Sequence, residues 1–90
     1  MPYTLTESIH HGNYTETRTE TYADLPSLET FASYHANSPY AEEHTKESLL
    51  ANAFFRETYD TLLVNFYNDI TDAYNKTSFG WSTFTLEETE

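Results

Sequence analysis

The chain has no cysteine, which excludes disulfide bonds, thiolate catalysis and cysteine-ligated metal sites. It has only two glycines, so no glycine-rich loop can cradle a phosphate. No run of about 18 apolar residues exists that could span a membrane. The N-terminal segment MPYTLTESIHH lacks the cationic start and apolar core of a secretory signal, so we expect no export.

Cations are scarce as well. Four Lys and Arg oppose 15 Asp and Glu, giving a formal net charge of −11. The acid is spread evenly, with a net charge of −6 for residues 1–45 and −5 for residues 46–90. Sequence spacing pairs Lys46 with Glu42, Lys76 with Asp72, Arg56 with Asp60, and Arg18 with Glu16 and Glu20. No basic patch remains, which excludes nucleic acid and anionic membranes as direct partners.

The N-terminal part is predicted to form a hairpin. Residues 3–10 and 14–22 alternate between two faces, and His11, Gly12 and Asn13 suit the turn between them. The second strand is rich in Thr and Tyr and almost free of aliphatic side chains. We therefore expect it at a sheet edge or facing solvent.

Helical patterns follow. Asp24 is predicted to cap a helix with Pro26 in its first turn, ending at Asn37, and Ser38 with Pro39 is predicted to open a second helical stretch. Residues 45–75 form the longest periodic segment, with an apolar arc from Phe55 onward. Before Phe55 the apolar stripe rotates, which indicates either burial on two sides or a bend or break near residues 44–54.

Residues 79–86 are predicted to form a final strand, with Phe84 and Leu86 on one face and Trp81 on the other. The whole pattern predicts one α+β domain over residues 1–90. It would hold an antiparallel sheet of about three strands, made of the N-terminal hairpin and the C-terminal strand, with two or three helices packed on one face.

The residues favour no catalytic or metal site. His10, His11, His35 and His44 lack the spacing of a helical zinc site, and we interpret them as surface or turn histidines. Adjacent acids such as Glu42 and Glu43 diverge, and no nucleophile elbow surrounds any serine. We therefore expect a protein that is not an enzyme and needs no cofactor.

Two features suggest a protein partner. Aromatic residues number fifteen, and Tyr and Trp are frequent in binding hot spots; Tyr40 and Trp81 lie at predicted element ends. Acids of the long helix share ridges, as do Glu57 with Asp60 and Asp69 with Asp72. Two interpretations of these acids stay open, a solvated face or a face that docks on a basic protein.

In composition the chain resembles small acidic inhibitors from phages and mobile elements, such as anti-CRISPR and DNA-mimicking anti-restriction proteins. The resemblance is carried by the charge of −11 and by acids on the long helix, near the sheet and at the tail: Glu57, Asp60, Asp69, Asp72, Glu7, Glu16, Glu20, Glu87, Glu88 and Glu90. It implies a stoichiometric inhibitor, monomeric or a small homo-oligomer. Such an inhibitor blocks the DNA- or PAM-binding groove of a Cas effector or other nuclease in the cytoplasm of a bacterial host. An immunity protein or antitoxin against a nuclease toxin, and a phage structural or assembly protein, are the alternatives.

Overall fold

A computed structural model describes residues 2–38, 44–68 and 75–89. In chain order its elements are β1 (Tyr3–His10), β2 (Thr15–Tyr22), α1 (Leu28–Ala36), α2 (Lys46–Ala51), α3 (Ala53–Asn68), β3 (Lys76–Phe79) and β4 (Ser82–Glu88). The strands form one antiparallel sheet in the order β2-β1-β4-β3. The α+β prediction is confirmed, with four strands in place of about three.

The centre of the sheet joins the first and last strands. Leu5 lies opposite Leu86 and Glu7 lies opposite Phe84, so side chains 77 residues or more apart in sequence share the inner face. Among the described strands, β2 pairs only with β1 and forms an edge, as predicted from its lack of aliphatic residues.

The C-terminal region is a hairpin, so the prediction of a single strand over residues 79–86 was wrong. β3 is followed by a two-residue turn, Gly80-Trp81, and Gly80 has the positive φ of 58° that primed hairpin turns require at that position. Trp81 therefore lies in the turn and not on a strand face. β3 was missed because the segment KTSF contains only one apolar side chain, Phe79.

The first helix begins three residues later than predicted. Ser27, not Asp24, is the cap: its hydroxyl accepts a hydrogen bond from the Thr30 N–H at 3.2 Å. Asn37 caps the C-terminal end, as predicted. Of the predicted helix opening at Ser38 and Pro39, residues 39–43 lie outside the described part of the chain. The second described helix is capped by Thr45.

The long periodic segment breaks at Asn52, within the window where the rotating stripe indicated a bend or break. Asn52 leaves the helical conformation with a ψ of 116°. Its side-chain oxygen then accepts from the Phe55 N–H at 3.0 Å, which satisfies a donor in the first turn of α3. Residues 69–74, the end of the predicted segment, lie outside the described residues.

A mainly apolar core fills the layer between the helices and the inner sheet face. Phe31 of α1 stacks on Phe55 of α3 with ring centroids 4.8 Å apart, and its edge meets Phe84 of β4 at 4.6 Å. Leu5, Leu49 and Leu62 are buried in the same core cluster. Within the described residues, no helix is long and apolar enough to cross a membrane.

Candidate partner-binding surface

The solvent side of α3 presents two acids and two apolar side chains. Phe55 and Leu62 are buried on the opposite side and fix the orientation of the helix. At about 100° per residue, Glu57, Asp60, Val64 and Tyr67 then fall within an arc of roughly 80°. All four are exposed. We call these four residues the outer face of α3.

Glu57 and Asp60 of this face are not neutralised by a neighbouring cation among the described residues. The prediction that Arg56 would neutralise Asp60 was wrong: among the described residues, neither acid has an ion pair. The sequence places Glu57 and Asp60 on one ridge of the helix, and both side chains are exposed.

The apolar arc that the sequence predicts from Phe55 onward includes Tyr67, and its burial was wrongly expected. It lies at the border of that arc and is 66% exposed, and Val64 is 52% exposed. The outer face thus combines carboxylates that attract cations with apolar side chains that gain from burial.

Glu7 is not part of any acidic surface, contrary to the resemblance. It is fully buried, because its place on β1 lies between Leu5 and Ile9 on the inner face. Its carboxylate contacts His35 Nδ1 at 2.6 Å, accepts from Ser82 Oγ at 2.8 Å and accepts from Arg18 Nη1 at 3.3 Å. The burial of Glu7 is offset by these three contacts.

The network of contacts that Glu7 makes with Arg18, His35 and Ser82 shows that two further expectations, for His35 and for Arg18, were wrong. His35, interpreted as a surface or turn histidine, is 1% exposed and packs against the rings of Phe55, Phe79 and Phe84. Arg18 pairs with Glu7 on the neighbouring strand and not with Glu16 or Glu20, because Arg18 and Glu7 are directly opposite in register.

The network has no catalytic arrangement. Ser82 donates to the carboxylate and not to His35, and all three of Glu7, His35 and Ser82 are enclosed by the core. It fixes β1, β2, β4 and α1 to one another.

Tyr34 holds Arg18 from the helix side. Its hydroxyl donates to the Arg18 carbonyl at 2.6 Å, its own carbonyl accepts from Arg18 Nη1 at 3.2 Å, and the guanidinium lies 4.9 Å from its ring centroid. Burial, and next the negative charge of Glu7, raise the pKa of Tyr34 far above that of a free tyrosine.

The other predicted site residues lie elsewhere. Glu16 and Glu20 are on β2, at the edge opposite β3, whereas α3 contacts β3 and β4. Glu16 lies 4.0 Å from His11, and Glu20 is exposed. The structure therefore does not join these two acids to the outer face of α3.

Trp81 lies at the end of the sheet where both hairpin turns meet. Its carbonyl accepts from the His10 N–H at 2.9 Å, and its side chain is 60% exposed. In the neighbouring turn, His11 stacks on the exposed Tyr14 with ring centroids 4.5 Å apart. This exposed aromatic cluster was only partly foreseen, because sequence alone did not place the two turns side by side.

The remaining predicted residues, Tyr40, Asp69 and Asp72, lie outside the described part of the chain, as does Glu42. Lys46, predicted to pair with Glu42, donates to Glu29 of α1 at 2.7 Å, and this contact lowers the pKa of Glu29. Within residues 2–38, 44–68 and 75–89, no group of three His, Asp or Glu side chains could hold a metal ion.

No protein-family model, curated protein or solved structure matches the chain significantly.

Proposed function

We propose that this protein is a stoichiometric inhibitor of a basic nucleic-acid-processing enzyme, such as a Cas effector or another nuclease, in the cytoplasm of a bacterial host. In this proposal the outer face of α3 occupies part of the enzyme's DNA-binding groove. The observation that carries it is this face itself: Glu57 and Asp60 without ion partners among the described residues, beside the exposed Val64 and Tyr67.

Charge and rigidity support the proposal together. DNA-binding grooves are lined with Arg and Lys that contact phosphates, and carboxylates can replace those phosphates. α3 is held by Phe55, Thr58 and Leu62 in the core, so its acids lose little entropy on docking. The net charge of −11 adds long-range attraction to a cationic enzyme.

The experiment is a DNA-cleavage assay with a panel of purified Cas effectors and restriction nucleases, followed by affinity measurement for any enzyme inhibited. In the double variant Glu57→Gln with Asp60→Asn, we expect affinity to fall by more than tenfold at unchanged thermal stability. The matched control, Glu87→Gln with Glu88→Gln, removes the same charge from exposed positions of β4 and should change affinity by less than about threefold.

Three results would contradict the proposal. The first is inhibition of no enzyme in the panel. The second is equal weakening by both variants, which would mean that only net charge matters. The third is an affinity that stays flat from about 50 to about 500 mM salt, because contacts between exposed charges weaken as screening grows. In a separate assay with a toxin nuclease, inhibition would instead indicate the immunity-protein alternative.

A further inference from the structure

The two edge strands of the sheet, β3 and β2, differ in whether other parts of the protein hydrogen-bond to their outer backbone groups. At the β3 edge, the Leu86 N–H donates to the Asn75 carbonyl at 3.1 Å. In an antiparallel pair, hydrogen-bonded residue pairs alternate with non-hydrogen-bonded ones. The backbone N–H and C=O groups of Lys76 and Ser78 therefore point away from β4. Side chains of α3 cover this edge: Thr58 donates to the Ser78 carbonyl at 3.3 Å, and Asn65 donates to the Lys76 carbonyl at 3.2 Å.

The β2 edge has no such cover. The His11 N–H donates to the Tyr14 carbonyl at 2.9 Å, so the even-numbered residues of β2 bond to β1 by the same alternation. The outward row consists of Thr15, Thr17, Thr19 and Thr21. In the described part of the chain, no hydrogen bond reaches the backbone of these four threonines from outside the sheet.

An uncovered strand of eight residues without proline is a template for another strand. Two copies of a protein with a net charge of −11 repel each other over most of their surfaces. β2 is an exception, because Arg18 lies between Glu16 and Glu20 along one face of the strand. We propose that β2 pairs antiparallel with β2 of a second copy, on a two-fold axis at Thr19, and extends the sheet to eight strands.

Charge selects this register. With Thr19 on the axis, Arg18 of each copy faces Glu20 of the other, and Thr17 faces Thr21. Arg18 and Glu20 then form non-hydrogen-bonded pairs, in which the side chains approach most closely. An axis at Arg18 would instead oppose the two arginines and place Glu16 opposite Glu20. An axis at Thr17 would pair Arg18 with Glu16 but over a shorter length of strand.

The local structure leaves room for these contacts. Glu20 is exposed, and the Arg18 side chain is 27% exposed. The hydrogen bonds that Arg18 donates to Glu7 and Tyr34 both use Nη1, and Nε and Nη2 carry further guanidinium donors. On the helix side, an open cleft of about 310 Å³ separates β2 from α1 and accommodates the side chains of a second strand.

The test measures mass by sedimentation equilibrium on the whole chain at about 0.15 M salt, from about 1 to about 500 μM protein. The subunit is 10.5 kDa, and we expect a dimer of twice that mass. Glu20→Lys puts like charges opposite Arg18 and should raise the dimer dissociation constant at least tenfold. Glu87→Lys makes the same charge change on β4, away from the edge, and should leave the dimer intact or tighten it. Net repulsion alone predicts that both variants tighten it.

Cysteine variants report the register directly, since the natural chain has none. Across the proposed axis the Cα atoms of Thr19 would be about 5.5 Å apart, within disulfide range. Oxidised Thr19→Cys should therefore form a covalent dimer, whereas Thr17→Cys should not. A monomer throughout the concentration range, tightening by Glu20→Lys, or cross-linking of Thr17→Cys in preference to Thr19→Cys would each overturn the proposal.

Discussion

Replacing Glu7 by methionine tests whether the buried carboxylate holds the fold together. The side chains have similar length, but methionine offers no acceptor to Arg18, His35 or Ser82, which lie 2.6 to 3.3 Å from the carboxylate. Removing one partner of a buried charged pair costs about 3–5 kcal/mol, because the groups left behind stay desolvated and unpaired. Ser82→Ala removes one hydrogen bond to the same carboxylate and should cost less, about 1.5–3 kcal/mol.

The expected loss is large for a domain of this size. At roughly 0.05–0.15 kcal/mol per residue, the whole chain is stable by about 4–14 kcal/mol. A loss of about 3–5 kcal/mol should lower the melting temperature by at least about 12 °C. Urea unfolding followed by circular dichroism gives the free energy, and thermal scans give the melting temperature.

A triple variant separates unpaired charge from poor packing. Glu7→Met combined with Arg18→Met and His35→Phe leaves no charged group in the network, so it should recover most of the stability that Glu7→Met loses. A loss below about 1 kcal/mol for Glu7→Met would refute the reasoning. So would a triple variant no more stable than the single one, because packing would then account for the loss.

Three further predictions follow from local geometry. The pKa of Tyr34 is raised in the folded state, so its hydroxyl contributes stability that is complete below about pH 10 and lost as the pH rises through the folded pKa. Alkaline unfolding should therefore be less steep in Tyr34→Phe, and an unchanged profile would contradict this. Asn52→Ala removes the cap on the Phe55 N–H and should cost about 1 kcal/mol in urea unfolding, with Asn68→Ala at the far end of α3 as the control. Gly80→Ala meets no atom within 4 Å, so only its positive φ opposes it; we expect a loss of about 1–2 kcal/mol, and no loss would mean that the turn changes type.

The local patterns in the sequence predicted the elements that have a strong period. Alternation placed β1 and β2, and the scarcity of aliphatic residues put β2 at an edge. Rotation of the apolar stripe indicated either burial on two sides or a bend or break near residues 44–54, and the structure has a break at Asn52. β3 was not predicted, because its residues are almost all polar and show neither an alternating apolar pattern nor a hydrophobic run.

Only the part of the candidate surface that depends on the geometry of α3 alone could be predicted from the sequence. Helical geometry alone turns Glu57 and Asp60 outward, whereas Tyr67 at the border of the arc depends on how far the helix is covered. The partners of Glu7 lie 11, 28 and 75 residues away in sequence. No local pattern in the sequence reveals such pairings, so the burial of Glu7 could not be predicted from the sequence.

The pairing of β1 with β4 has a consequence for how the chain folds. Tyr3 lies opposite Glu88, so the central strand pair closes over nearly the whole sequence. The β1–β2 hairpin is local, but β2 brings no aliphatic side chain to stabilise it before β4 arrives. Closing so long a loop costs entropy before its contacts form, so we expect folding over milliseconds or longer and not microseconds. During synthesis, the sheet centre therefore stays unformed until β4 has left the ribosome.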